Sequence, residues 1–467
     1  MVTCRAIDRT SDRKTYTLMS TDGKVVTIGI EQLKEEIRSG KLNVVNLTMG
    51  VDGSIRFNKN ADFKRAKYSK IKNNATYSLF DLVKKADKID INEVINKAIS
   101  MDSFIYKIPV TDKVFCSLIS EGKNLILCIP NDVRDLGNEI EREDRFIGQN
   151  REFKIEVDRG TLTKLKFTKY LQRLNGNIMV VGGSSLVNIN FMFAGCVFDS
   201  INLKHFDTSN VVNMRGVFCG CSAKEVDLSY LNISNVRSMD WMFADCTIQK
   251  GIDISTFKTE NVKYMAYMFS NCHSKIKGLS KLSFNSAALL EGMFANTVID
   301  SVRYDVVEER HLSSYLLTMY GMFYNCTANL VDFSGCFINS GFSMTSMFEK
   351  SNIKTVTFAK SKFDTTACLD IMFASSKIET VDFSDSDLGK NKRMIEMFAD
   401  AHIKNVSFAR SRFGEKIYNN NMFRDCRVEE CIDFSDVYME NYVSESYLFG
   451  NCKTAGTIKF FRHVGTV

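Results

Sequence analysis

The residue types that most often do chemistry are few in this chain and lie apart. The five histidines are His205, His273, His311, His402 and His463, and none stands at the short repeated spacing by which imidazoles share a metal or serve a nucleophile. Fourteen cysteines in 467 residues suit a chain kept reduced and are too sparse for a disulfide scaffold. The nearest approaches to a ligand pair, Cys219 with Cys221 and Cys426 with Cys431, lack histidine partners, so neither a metal nor a cofactor is expected. Gly182-Gly183-Ser184-Ser185 follows an apolar run as a phosphate loop would, but it lacks the Gly-Lys-Ser/Thr ending that brings a lysine to the phosphates. It reads as a turn. The expectation is a protein without enzymatic activity.

A charge run says more. Residues 56–72 hold Arg56, Lys59, Lys64, Arg65, Lys67, Lys70 and Lys72 against Asp62 alone, with Phe57, Phe63 and Tyr68 between them. Seven bases less one acid make +6, the formal net charge of the whole chain, so the remaining residues are neutral in sum. Cations interleaved with rings suit nucleic acid or an acidic partner; a solvated linker is the plainer reading.

The elements that position any site come from a repeat. A Met-Phe-x-x-Cys cassette starts at Met192, and its phenylalanine recurs at Phe193, Phe218, Phe243, Phe269, Phe294, Phe323, Phe348, Phe373, Phe398, Phe423 and Phe449. The intervals are 25 residues except for two of 26 and one of 29, as in leucine-rich repeats. Eight residues on comes an apolar-polar-apolar segment such as Val226-Asp-Leu228 or Val356-Thr-Phe358, which predicts one strand per unit. Before each phenylalanine, spacing such as Val211, Met214 and Phe218 predicts a helix, with Ser209, Ser234 and Glu260 near its start. The fold class expected is therefore α/β, a curved solenoid of about eleven strand-plus-helix units.

Cysteine exchanges with Thr, Ser and Ala at the last cassette position (Cys196, Cys221, Cys246, Cys272, Thr297, Cys326, Ser351, Ser376, Ala401, Cys426, Cys452). That pattern asks for a small side chain in a tight column, so these thiols read as buried and reduced. Mid-strand Asp227, Asp253, Asp332, Asp382 and Asp433 fall on the outward face. They are the candidate contacts for a protein partner, against the plainer reading of a solvated acidic stripe. The long unit between Phe294 and Phe323 predicts a projecting loop with Arg303, Asp305, Glu308, Glu309 and Arg310 as further contacts.

Met-Phe-x-x-Cys, the Asp-Leu-Ser strand and Phe206-Asp-Thr-Ser-Asn-Val211 together resemble the BspA-type leucine-rich repeat, also found as a surface-lipoprotein repeat in mycoplasmas. The resemblance spans about residues 190–452 and implies a curved α/β solenoid that adheres to or binds other proteins. Ahead of it the chain divides into a small α+β module at 1–57, the basic linker at 58–76, an α+β domain at 77–160 and a solenoid cap at 161–190, with the solenoid over 191–467. Hairpins are expected around 16–30 and 42–53, a helix at 31–39, two helices within 77–100, and strands at 104–108, 114–119 and 125–129. No secretory apolar run occupies the first residues and no stretch is long and apolar enough to span a bilayer. The functional expectation is a cytoplasmic, non-enzymatic protein. Its solenoid grips a protein partner, with a bacterial defence or nucleic-acid-handling nucleoprotein complex that it inhibits as the candidate, while the basic segment adds a second contact, to nucleic acid or an acidic partner. A surface adhesin and an enzyme carried by residues 61–160 are the alternatives.

Overall fold

The computed structural model describes residues 2–9, 14–20, 25–39, 41–44, 47–49, 55–57, 78–101, 103–110, 114–137, 167–172, 174–287, 289–306, 318–338, 343–364, 367–390, 392–414, 417–439 and 447–459. The N-terminal module has its own sheet. Thr15–Ser20 and Val25–Gly29 form the expected hairpin, and the chain passes straight into helix α1 (Ile30–Arg38), whose Leu33 is buried under Tyr16, Leu18 and Ile28. The second hairpin lies later than its sequence suggests. Leu42–Val44 pairs in parallel with Val2–Cys4, and Leu47–Met49 pairs with Ile55–Phe57.

Helices α2 (Leu79–Lys85) and α3 (Ile91–Ser100) begin where their caps stand. Ser78 accepts from Asp81 N and Asp90 accepts from Glu93 N. Both Glu121 carboxylate oxygens accept from the first backbone N–H groups of α2, Leu79 N at 3.0 Å and Phe80 N at 2.9 Å. The helices cover one face of the antiparallel strands Phe104–Pro109, Phe115–Glu121 and Asn124–Ile129. Asn124–Ile129 then pairs in parallel with Asn177–Gly182, which pairs with Val197–Phe206 of the first repeat. One sheet therefore runs from this region into the array and closes its N-terminal end, as a solenoid requires. Gly182 and Gly183 have φ of 88°. A Cβ on Gly182 would stand 2.3 Å from Ile91 Cδ1 and 2.4 Å from Ile129 O, so the glycine pair is the turn that lets α3 approach the sheet.

The array is a β-solenoid of about ten turns, and the helices expected in each unit are not there. Among the described residues the remaining helices are α3's short successor α4 (Thr168–Leu171) and one 3-10 turn at Leu279–Lys281. The reason lies in two left-handed residues that flank each cassette phenylalanine, two before and two after. Examples are Gly216 and Gly220 around Phe218, Trp241 and Asp245 around Phe243, and Ile371 and Ser375 around Phe373. An α-helix cannot accommodate a left-handed residue every four positions. The chain turns a corner instead, and each corner sends an apolar side chain inward, so Val211, Met214 and Phe218 are all fully buried at a spacing that a helix shares. Ser209 and Ser234 do not cap helices either; their backbone N–H groups donate to the side chains of Asp207 and Asn232, each at 3.0 Å, in Asx turns.

Parallel ladders join the turns on three sides. In the later turns the strands Thr327–Asp332, Asn352–Thr357, Lys377–Asp382, His402–Ser407 and Arg427–Asp433 stack one on the next. Single bridges run from Asp135 through Asn188, Asn213 and Ser238 as far as Arg393, and short pairs such as Phe337–Ile338 with Lys362–Phe363 make the third side. The two 26-residue units absorb their extra residue locally. One does so at Gly251, with φ of 88°; the other does so by a register shift between Ile403/Asn405 and Val428/Cys431, a β-bulge. Inside, the cassette phenylalanines form an unbroken stack from Phe193 to Phe449, with ring centroids between 5.6 Å and 4.9 Å apart. Such pairs contribute about 0.5–1.5 kcal/mol each beyond burial.

Candidate binding surfaces

The five aspartates expected to face a partner are turn-makers. Their carboxylates accept from the backbone N–H two residues on: Ser229 N to Asp227 at 3.1 Å, Ser255 N to Asp253 at 3.0 Å, Ser334 N to Asp332 at 2.8 Å, Ser384 N to Asp382 at 2.9 Å and Ser435 N to Asp433 at 2.9 Å. Hydrogen bonds from the side chain and backbone of Ser255 hold the Asp253 carboxyl below its usual value. Each aspartate thus ends its strand by an Asx turn. The column reads Arg303, Asp332, Thr357, Asp382, Ser407, Asp433, Lys459 in register, with Arg303 3.6 Å from Asp332 and Lys459 3.0 Å from Asp433. Charges of one sign are never adjacent, and both ends are closed by a cation.

Arg303 and Asp305 do not project in a loop. Arg303 ends the strand Ser301–Arg303, and Asp305 reaches back one turn to accept from Phe284 N at 2.7 Å, so both brace the array. Glu308, Glu309 and Arg310 lie outside the described residues, as do Lys59, Lys64, Arg65, Lys67, Lys70 and Lys72. Arg56 falls in the strand Ile55–Phe57.

The cassette corners carry a cluster that sequence reading passed over. Trp241, the chain's one tryptophan, lies against Tyr267 with ring centroids 5.1 Å apart. The Tyr267 hydroxyl donates to Glu291, which is buried, and the buried Glu349 with Glu291 helps burial raise the Tyr320 hydroxyl above its ordinary value. Lys350 Nζ donates to Tyr324 Oη at 2.7 Å and sits over that ring. These residues belong to successive turns. Trp241 and Tyr267 occupy the left-handed corner position, and a Cβ on Gly292, the next residue in that column, would stand 2.3 Å from the Tyr267 ring. Counting by the repeat, 25 or 26 residues per turn and 29 across the long unit, places these neighbouring columns side by side, and that arithmetic is the signal by which the sequence could have revealed the cluster.

Buried nucleophiles are placed for packing. Burial pushes the Cys116, Cys128 and Cys221 thiols up to about 12, and Cys196, Cys246, Cys272, Cys326 and Cys426 are buried and unbonded, with Cys452 half-buried at the last turn. Cys246 Sγ and Cys272 Sγ approach to 3.7 Å; that contact, with burial, raises the Cys246 thiol well above its usual value. Lys392 is fully buried in the inward column that holds Ala367 one turn earlier and Ile417 one turn later. Its Nζ donates to the Asp364 carbonyl, and burial lowers it to about 8. Among the described residues no group of three or more His, Cys, Asp or Glu side chains is placed to hold a metal ion, and no helix is long and apolar enough to cross a membrane.

No curated protein and no solved structure matches the chain. Residues 187–304, which hold the first turns of the array, are similar to the family described as "Mycoplasma protein of unknown function, DUF285".

Proposed function

We propose that this protein is a non-enzymatic scaffold whose solenoid grips a protein partner through the corner cluster around Trp241. The observation that carries the reading is the set of half-buried rings Trp241, Tyr267 and Tyr320, spread over four turns with the buried Tyr324 beside the last, and braced by buried Glu291 and Glu349. Tryptophan and tyrosine are the residue types that dominate binding energy at interfaces, and rings held in place lose little entropy on docking. The stacked phenylalanines beneath keep the turns at fixed spacing. The likeness of the cassettes to BspA-type repeats supports a binding role as well, and residues 56–72 add a second, basic contact in this reading.

The test is a cross-linked pull-down from the native host with mass spectrometry, comparing the wild-type chain with Trp241→Ser and Tyr320→Ser. The variants are expected to lose the proteins that the wild type captures while keeping their far-ultraviolet spectrum. Capture of the same proteins by both folded variants overturns the reading.

A further inference from the structure

The outward columns of the later turns follow a rule of charge. Lys354, Glu379, Lys404 and Glu430 fall one above another, with Lys404 3.1 Å from Glu430. Lys360, Asp385, Arg410 and Asp436 occupy the same left-handed corner in four turns, with Arg410 2.7 Å from Asp385. Lys362, Asp387 and Arg412 are bridged in sequence. In each column the sign alternates at every turn, and the aspartate column described above separates its like charges with Thr357 or Ser407. Turns joined by a parallel ladder stand about 4.8 Å apart, and at that distance like charges repel by roughly 1 kcal/mol even in water.

Two columns break the rule, the acidic corner pair Asp400 and Asp425 and a longer, basic one. Lys377, His402, Arg427 and Lys453 are mutual register partners at the start of four successive strands, and the lysines and the arginine are exposed. Among the described residues Lys377, Arg427 and Lys453 have no ion-pair partner; His402 lies 2.7 Å from Glu429. The acids at the preceding corner, Asp400 and Asp425, are both engaged by Arg424, at 3.6 Å and 2.9 Å. The column therefore presents a row of basic groups along the solenoid axis, spanning about 14 Å over three steps of the ladder.

We infer that this column binds a linear polyanion, specifically an acidic polysaccharide, laid along the axis. A chain of uronate or sulfated sugars carries one charge per sugar at an interval close to one turn of the ladder. Three or four positions further along the strands stands a column of Thr355, Thr380, Asn405, Cys431 and Thr457, whose hydroxyls and amide can exchange hydrogen bonds with sugar hydroxyls. The imidazole of His402 is the one ring among these outward strand positions, with no Phe, Tyr or Trp, so the run of stacking rings that single-stranded nucleic acid uses is missing here. The surface is separate from the Trp241 cluster, and the inference goes beyond the protein-binding reading without resting on it.

The test uses the full chain and fluorescein-labelled probes read by anisotropy at about 50 mM salt, where charge contacts are weakly screened. The probes are a heparin octasaccharide, a polygalacturonate oligomer and a poly(dT) oligomer. Three proteins are compared: wild type, Lys377→Gln/Arg427→Gln/Lys453→Gln, and Lys64→Gln/Arg65→Gln/Lys67→Gln/Lys70→Gln. The column variant is expected to bind at least one of the polysaccharides 10-fold or more weaker than wild type, and the variant in 56–72 to bind it as wild type does. Because the substituted side chains are exposed, the thermal midpoint should hold; the single Lys453→Gln exchange at the last turn, with a smaller loss, guards against a misfolded triple variant. Polysaccharide affinity that is undetectable in the wild type, that survives in the column variant, or that disappears with the changes in 56–72 overturns the inference. So does poly(dT) binding tighter than both polysaccharides and lost in the column variant, which would make the ligand a nucleic acid.

Discussion

The two halves of the array reach the same backbone by different chemistry. In the first half, turns are tied to one another by polar side chains reaching the neighbouring backbone: Asn210 Nδ2 to Ser184 O at 2.8 Å, Asn235 Nδ2 to Ser209 O at 2.6 Å, Asn261 Nδ2 to Ser234 O at 3.0 Å, and Thr208 Oγ1 to Asn232 O at 2.9 Å. Leu203, Leu228 and Ile254 fill the second inward column there. In the second half that column becomes aromatic, with Tyr304, Phe333, Phe358, Phe383, Phe408 and Phe434 stacked at 4.8–5.2 Å. It meets the cassette stack edge-on, as at Phe348 and Phe358 with an interplanar angle of 84°. The family similarity stops at residue 304, less than one turn after Ser286, whose Oγ donates to Glu260 O, has replaced the asparagine, yet the strands continue in register to Lys459. The corners and inward columns define this fold; the means of tying turns together can be exchanged.

Truncating a ring should distinguish the halves most strongly. Phe243 touches Phe218 and Phe269, whereas Phe358 touches Phe333, Phe348, Phe363 and Phe383. Both are fully buried, so replacing either by alanine should cost about 3–5 kcal/mol in cavity and lost transfer. The extra ring pairs should make Phe358→Ala the worse by roughly 1–2 kcal/mol. Urea melts of the two variants check this, and equal midpoints would mean that the second aromatic column adds nothing beyond apolar area.

Lys392 sharpens the comparison: it stands one residue before the bridged column, where the first half has the exposed Val212, Arg237 and Lys263 and buries Val211, Val236 and Val262 one residue earlier still. The lysine holds its proton up to its ordinary value of 10.5 when unfolded but only to about 8 when folded. Between those values the unfolded chain binds more protons, so stability should rise as pH rises from about 8 to 10.5 and stay level outside that window with respect to this group. The span corresponds to about 3 kcal/mol. Lys392→Val should remove the slope and raise the thermal midpoint at neutral pH, although it strips a donor from the Asp364 carbonyl. A slope that persists in the variant would assign it to other groups.

Much of this was legible in the sequence, and the failures have physical causes. The repeat interval, the strand in each unit and the buried thiol column follow from side-chain types that cannot sit elsewhere. The helix was misread because spacing at i, i+3 and i+7 fits any path that turns inward about every four residues. The correction was present in Gly195, Gly220, Asp245, Asn271, Asn296, Asn325, Asp400, Asp425 and Asn451, residue types that accept positive φ. Lys350 and Ser375 are the exceptions at that position. The aspartates were legible as outward but not as Asx turns, since only geometry shows the serine N–H two residues on. The Trp241 cluster and the cation column needed register across turns, which a reading along the chain does not supply.

The smallest expected effects concern the polar ties themselves. In the second half, Ser386 is buried and its Oγ donates to the Phe358 carbonyl of the preceding turn at 2.6 Å. Ser386→Ala leaves that carbonyl short of a donor away from water, and should cost about 1–2 kcal/mol. In the first half, Asn235 is exposed, so after Asn235→Ala water can replace the amide at the Ser209 carbonyl, and the loss should stay below about 1 kcal/mol. Combining Asn235→Ala with Asn261→Ala tests whether the asparagine ladder works as a unit. Asn261 bonds to Ser234 O, next to Asn235 in the chain, so the two ties share one corner and a double-mutant cycle should show a coupling of at least about 0.5 kcal/mol. Additive losses would mean that each asparagine ties its own pair of turns. A cost for Asn235→Ala equal to that of Ser386→Ala would show that exposure does not separate the two kinds of tie.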